Sequence, residues 1–156
     1  MSNIAAAREI IERVREAGAR DFCVCGGSRN APLIAVLGAA NGERPTANVF
    51  SFIDERSAAF FALGRAKRDG RPVAVITTSG TAAAELLPAA VEAFYSGVPL
   101  ILITADRPAR FRGTAAPQSI EQVGLFGVYA TTDIDGWSRR APLHINVEFD
   151  EPLIDE

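Results

Sequence analysis

Ser51-Phe52-Ile53-Asp54-Glu55-Arg56 is the stretch around which the chain is organised. An extended run ends there and a long helical pattern begins, with two acids at the junction. Open α/β sheets place their ligand groups at such junctions, beyond the carboxyl ends of the strands. Two other junctions have the same form: Cys25-Gly26-Gly27-Ser28-Arg29-Asn30 and Thr77-Thr78-Ser79-Gly80-Thr81. Together they bring a carboxylate, an arginine and a glycine-flanked hydroxyl pair to one edge, with Glu55 as its chemical centre.

Upstream of this stretch, Ile4, Ala7, Ile11 and Val14 share one helical face, with Ser2 as N-cap and Gly18 as stop. Phe22 to Cys25 reads as a short buried strand. Ala31 to Ala40 reads as a helix ended by Asn41-Gly42, and Asn48 to Phe52 as the next strand. Downstream, Ser57 to Asp69 is a helix with Arg65, Lys67 and Arg68 towards its C-terminus, where the helix dipole favours cations. Gly70 closes it. Val73 to Ile76 is a strand, Thr81 to Tyr95 a helix kinked at Pro88, and Pro99 to Thr104 an apolar strand. After Asp106-Arg107-Pro108 the pattern weakens. Ser119 to Phe126 reads as a short helix, and Tyr129 to Ile134 and Leu143 to Val147 as strands, before an acidic end at Asp155-Glu156. Strands alternating with helices at this spacing predict βαβ units: an α/β domain with a doubly wound parallel sheet covered by helices on both faces.

At 156 residues the chain is long enough for one domain with a real core. Its 48% hydrophobic and 22% charged content is ordinary for a soluble globular protein, and a net charge of −3 argues against a nucleic-acid footprint. No apolar run has the length of a membrane span, and the N-terminus lacks a signal pattern, so the cytoplasm is expected. Cys23 and Cys25 read as free thiols packed as small hydrophobes, and one histidine without further cysteines predicts no metal site.

Single motifs are ambiguous. The Gly26-Gly27 turn lacks the third glycine of a dinucleotide fingerprint, and no glycine loop carries a Walker lysine. Neither Ser28 nor Ser79 lies in G-x-S-x-G, so a serine hydrolase is disfavoured and His144 reads as structural. At Ser79-Gly80-Thr81, glycine permits close approach and free amides could meet a ligand, but a simple N-cap accounts for the residues equally well. Arg29 and Arg107 each follow a strand end. Singly each suits a surface ion pair; as a pair they suit an anionic small molecule. An acid in a first helical turn, such as Glu55, also serves the dipole alone.

Taken together, Gly27-Ser28-Arg29-Asn30-Ala31-Pro32-Leu33, Asp54-Glu55-Arg56, Thr78-Ser79-Gly80-Thr81-Ala82 and Thr104-Ala105-Asp106-Arg107-Pro108 resemble the N-terminal domain of the 2-succinyl-5-enolpyruvyl-6-hydroxy-3-cyclohexene-1-carboxylate synthases. His144-Ile145-Asn146 and Glu151-Pro152-Leu153 fit the end of that domain. These are the thiamine-diphosphate enzymes of menaquinone biosynthesis. The resemblance implies a single pyrimidine-binding domain over residues 1–156, with a parallel sheet of about six strands. It implies that Glu55 bonds to the ring nitrogen of the cofactor's aminopyrimidine and sets its tautomer, while the cofactor carries the chemistry on the 2-oxo acid. Ser79, Gly80 and Thr81 would lie against the cofactor. Ser28, Arg29 and Arg107 would hold substrate carboxylates, and Gln118 would sit near the reacting centre. The substrates would be isochorismate and 2-oxoglutarate. Mg²⁺ and the diphosphate would be held by a pyrophosphate-binding domain that these residues do not resemble, so the chain alone is expected to be inactive. Where the family usually has a small residue and then proline, this chain has Cys25-Gly26. Asn30 replaces a usual serine, and both differences are expected to retune the substrate pocket. A homodimer is expected through the helices after Ser57 and Thr81, where Ala58, Ala59 and Ala62 would permit close approach and Phe60 and Phe61 supply apolar area. The competing reading is a non-catalytic interaction or regulatory module that keeps the fold.

Overall fold

The computed structural model describes residues 2–40 and 47–154. The expected helix stop at Asn41-Gly42 and the acidic end at Asp155-Glu156 lie outside the described residues. The elements run α1 (Asn3–Glu16), β1 (Asp21–Cys25), α2 (Ala31–Ala40), β2 (Asn48–Phe52), α3 (Glu55–Asp69), β3 (Val73–Thr77), α4 (Thr81–Ala84), α5 (Leu87–Ser96), β4 (Leu100–Asp106) and β5 (Leu143–Glu148), with 3₁₀ turns at Ala109–Phe111 and Gly127–Tyr129. The five strands are ordered β2-β1-β3-β4-β5, and each neighbouring pair is parallel. The order reverses between β1 and β3. There the connections leave in opposite directions and open a crevice at the carboxyl edge.

The sheet is buried on both faces, as a parallel sheet crossed by helices must be. Ala74 and Ile76 of β3 point into the layer of α1 and α2, with Ile11, Val14, Leu33 and Leu37. Val73 and Val75 point the other way, onto α3 and α5. Ser2 caps α1 by accepting from the Ala5 amide at 3.1 Å. Asp54 caps α3 by accepting from Ser57, and Gly70 ends that helix at φ 64°, a left-handed position that glycine adopts without strain. The alanines of α3 correct the expectation for the dimer surface. Ala58, Ala59 and Ala62 are fully buried against the sheet. Phe60, Phe61, Phe94 and Tyr95 are large apolar side chains of this layer left exposed.

Three other expectations change. The helix predicted over 81–95 is not kinked but divided in two, because Pro88 has no N–H and fits only the first turn of α5. The segment 119–126 forms turns, not a helix. Gly124 takes φ 75° and Gln122 turns its side chain inward to hydrogen-bond. The strand predicted over 129–134 shrinks to one parallel bridge, Thr131 with Leu143. Its Thr131 amide donates to Pro142 O at 3.0 Å, and Thr131 O accepts from the His144 amide at 2.8 Å. Pairing stops there because Asp133 Oδ1 takes the amides of Asp135 and Gly136 and folds the chain into a turn. The sheet is thus five strands with a one-residue remnant of a sixth at its β5 side.

Candidate functional site

The parallel topology gathers the sequence-predicted residues at one edge. Arg29 follows β1, Glu55 follows β2, Ser79 follows β3 and Arg107 follows β4, each within a few residues of the strand's carboxyl end. The junctions after β1 and β3 interlock. A Cβ on Gly27 would lie 2.6 Å from Thr78 Cβ, so this approach needs glycine. Asn30 staples the same turn. It is fully buried, its Oδ1 accepts from the Gly27 amide at 2.9 Å, and its Nδ2 donates to Cys25 O at 2.8 Å. It is therefore a turn-closing residue. Cys25 and Cys23 are buried free thiols, and burial raises both to about 12, which leaves them unreactive.

The acids near this edge divide sharply. Asp54 is spent on the α3 cap; the Ser57 hydrogen bonds hold its carboxyl below the usual range. Asp106 is buried and accepts from the Arg107 amide, Asn146 Nδ2 and Arg112. Glu148 pairs with Arg112 and Asp150 with Arg110. Glu55, half-buried in the first turn of α3, makes no hydrogen bond or ion pair among the described residues. It is a carboxylate at the carboxyl edge of the sheet without a partner among the described residues.

The cations divide likewise. Arg29 is 5% exposed, and its guanidinium donates to Phe149 O at 2.9 Å and to Glu151 Oε1 at 3.2 Å, so the segment after β5 already occupies it. Ser28 beside it is exposed. Arg107 is anchored by its Nε to Pro117 O at 2.9 Å and lies over the Phe111 ring. Its two terminal nitrogens have no partner among the described residues. A planar fork of this kind matches a carboxylate.

Gly80 adopts φ 79° and ψ −138°, and a Cβ there would come within 2.9 Å of Gln118 Cα. The exposed Gln118, itself at φ 54°, therefore lies directly over the β3 junction. The Gly80 amide is not open to a ligand, because it donates to Gln122 Oε1 at 2.7 Å. The Ser79 and Thr81 hydroxyls have no partner among the described residues.

Sequence reasoning missed the network beneath. Gln122, fully buried, also donates to Ala105 O at 3.2 Å and Asn146 Oδ1 at 3.0 Å. Asn146 Oδ1 accepts from Thr104 Oγ1 at 2.8 Å, and Thr104 Oγ1 bonds His144 Nε2 at 2.8 Å. With Thr104 donating to Asn146, the His144 ring donates through Nε2. Burial pushes His144 down to about 4, and it stays neutral with Phe126 edge-on to its ring. One signal was readable: His144 and Asn146 are two apart on an apolar strand, and therefore share a face. Among the described residues no group of three or more His, Cys, Asp or Glu side chains is placed to hold a metal ion, and no helix is long and apolar enough to cross a membrane.

The chain is 49% identical to the 2-succinyl-5-enolpyruvyl-6-hydroxy-3-cyclohexene-1-carboxylate synthase of Bdellovibrio bacteriovorus, over 99% of this chain and 31% of that protein. It is 53% identical to the synthase of the same name from Akkermansia muciniphila and 51% identical to that of Corynebacterium diphtheriae, in each case over 86% of this chain and 27% of the relative. The chain thus spans about a third or less of the length of these relatives. Residues 4–125 match the family described as thiamine pyrophosphate enzyme, N-terminal TPP binding domain, and the chain accordingly belongs to that family.

Proposed function

We propose that this chain is the pyrimidine-binding domain of a thiamine-diphosphate-dependent synthase that adds the succinyl semialdehyde unit of 2-oxoglutarate to isochorismate in menaquinone biosynthesis. The observation that carries the reading is the unpartnered Glu55 carboxylate at the carboxyl end of β2, where Asp54 and Asp106 of the same sheet edge are engaged. The edge fits the cofactor's aminopyrimidine. Glu55 would meet its ring nitrogen, and the side-chain-free Gly80 and the unpaired Ser79 and Thr81 hydroxyls would lie beside it. When bound, thiamine diphosphate supplies the carbanion-stabilising chemistry that a 2-oxo acid needs.

The chain's own residues then have separable tasks. Glu55 holds or shares a proton at the ring nitrogen and so selects the cofactor's tautomer. Arg107 offers its free fork to a substrate carboxylate. Ser28 and Arg29 complete the anion site, Arg29 after release from Glu151. Gln118, held over Gly80, lies beside the reacting centre. Mg²⁺ and the diphosphate belong to a pyrophosphate-binding domain, with the assembly a cytoplasmic homodimer. The exposed Phe60, Phe61, Phe94 and Tyr95 supply apolar area for that contact.

The test has two arms. Calorimetry of the isolated 156-residue chain with thiamine diphosphate and Mg²⁺ is expected to show no tight binding, because the pyrimidine offers few contacts. Supplying the pyrophosphate domain is expected to give turnover of isochorismate with 2-oxoglutarate. Tight binding by the chain alone, or no thiamine-diphosphate-dependent turnover by the assembly, would overturn the reading.

A further inference from the structure

The loop of residues 107–126 contains one 3₁₀ turn and no longer regular element, yet it places both Arg107 and Gln118. Something other than a backbone ladder must hold it. Fully buried at its far end is Gln122, the one side chain in the 118–122 segment whose amide reaches three separate elements. Its Oε1 accepts the Gly80 amide at 2.7 Å, at the junction after β3. Its Nε2 donates to Ala105 O on β4 at 3.2 Å and to Asn146 Oδ1 on β5 at 3.0 Å. Asn146 in turn donates to Asp106, and Asp106 accepts from the Arg107 amide. The carboxyamide therefore uses its acceptor on one predicted contact segment and its donors on the strands that carry the other. Gly80 is buried and needs this partner, since a buried amide left unpaired loses its hydrogen bond to water without replacing it.

We propose that Gln122 is a positioning residue of the site. It sets the height of the Ser79-Gly80 junction and, through the contact of Gly80 with Gln118, fixes where Gln118 sits. The proposal rests on the functional reading above only for its effect on turnover; its structural half stands alone. Glutamine suits the task because one end must accept and the other donate. Methionine matches its length but does neither. Glutamate accepts at both ends when ionised, and regains one donor when protonated.

The experiment uses the complete protein. For Gln122→Met, hydrogen exchange across 78–83 is expected to accelerate about tenfold or more at Gly80, with β3 itself still protected. The kcat is expected to fall by about tenfold to a hundredfold, with the KM for thiamine diphosphate little moved. For Gln122→Glu, kcat relative to wild type is expected to rise as pH falls, because the protonated carboxyl restores a donor towards Ala105. A merely structural glutamine would give no such pH-dependent rescue. Unchanged Gly80 exchange in Gln122→Met, or a Gln122→Glu to wild-type ratio that stays flat with pH, overturns the proposal. If Gln122→Met does not fold, the Gln122→Glu profile decides alone. If wild type shows no thiamine-diphosphate-dependent turnover, the functional reading fails, and Gly80 exchange still decides the role of Gln122.

Discussion

The two edges of the sheet handle charge in opposite ways. At the amino edge, Asp21 opens β1 with no exposure and is saturated. It accepts from Asn48 at 2.7 Å and Arg65 Nε at 2.8 Å, and pairs with Arg71 at 3.3 Å. Burial pushes its carboxyl upward, but the Asn48 and Arg65 hydrogen bonds and the two guanidinium charges outweigh that and hold it below the usual range. At the carboxyl edge, Glu55 has no partner and Arg107 keeps its fork free. The buried charge where β1 begins is satisfied, whereas where the strands end Glu55 and the Arg107 fork stand available beside the satisfied Asp106 and Arg29. Strand ends that feed helices open a crevice; strand starts here close onto the C-terminal ends of helices, where cations from α3 gather.

The sharpest test removes the available acid. Glu55→Gln in the complete enzyme keeps size and packing but cannot share a proton as a carboxylate does. Its kcat is expected to drop about 100- to 10,000-fold with thermal stability unchanged. An unimpaired mutant would erase the distinction between the edges. At the other edge, Asp21→Ala removes the buried acid from Arg65 and Arg71, leaves them Asp69 at 3.7 Å, and is expected to lower the unfolding free energy by about 1–3 kcal/mol. Cofactor affinity should not change, and urea titration alongside calorimetry separates the two effects.

Acid titration sharpens the comparison further. His144, neutral when folded and near 6.5 when unfolded, contributes stability that is complete above pH 6.5 and lost as pH falls towards about 4. The loss is on the order of 3 kcal/mol. Asp21, held low in the fold, contributes stability that is lost only at pH values below its unfolded value near 3.8. Stability measured from pH 8 to 3 should therefore show two separate declines, with His144→Gln abolishing the first. A single decline would show that the network around His144 carries no titration cost. The smallest effect expected is for Arg107→Ala, about tenfold to a hundredfold on the KM for the anionic substrates, with thiamine diphosphate affinity unchanged. A defect confined to cofactor affinity would overturn the proposal that Arg107 binds a substrate carboxylate.

Local pattern sufficed for the repeating half of the chain. Apolar period, caps and glycine stops placed β1 to β4 and the helices between them, and the acid after β2 could be assigned to the carboxyl edge because every parallel strand delivers its end there. Residues 107–142 resisted the same reading. Their conformation is held by long-range side-chain bonds, with Gln122 and Asn146 joining segments 24 residues apart, and by an Asp133 turn that ends a strand after one bridge. No local period encodes such contacts. For the same reason the sequence named Glu55 and Arg29 alike, as charged residues at strand ends. Only the tertiary structure showed that Arg29 is taken by Glu151 while Glu55 is free, because whether a charge has a partner depends on what the rest of the chain folds against it.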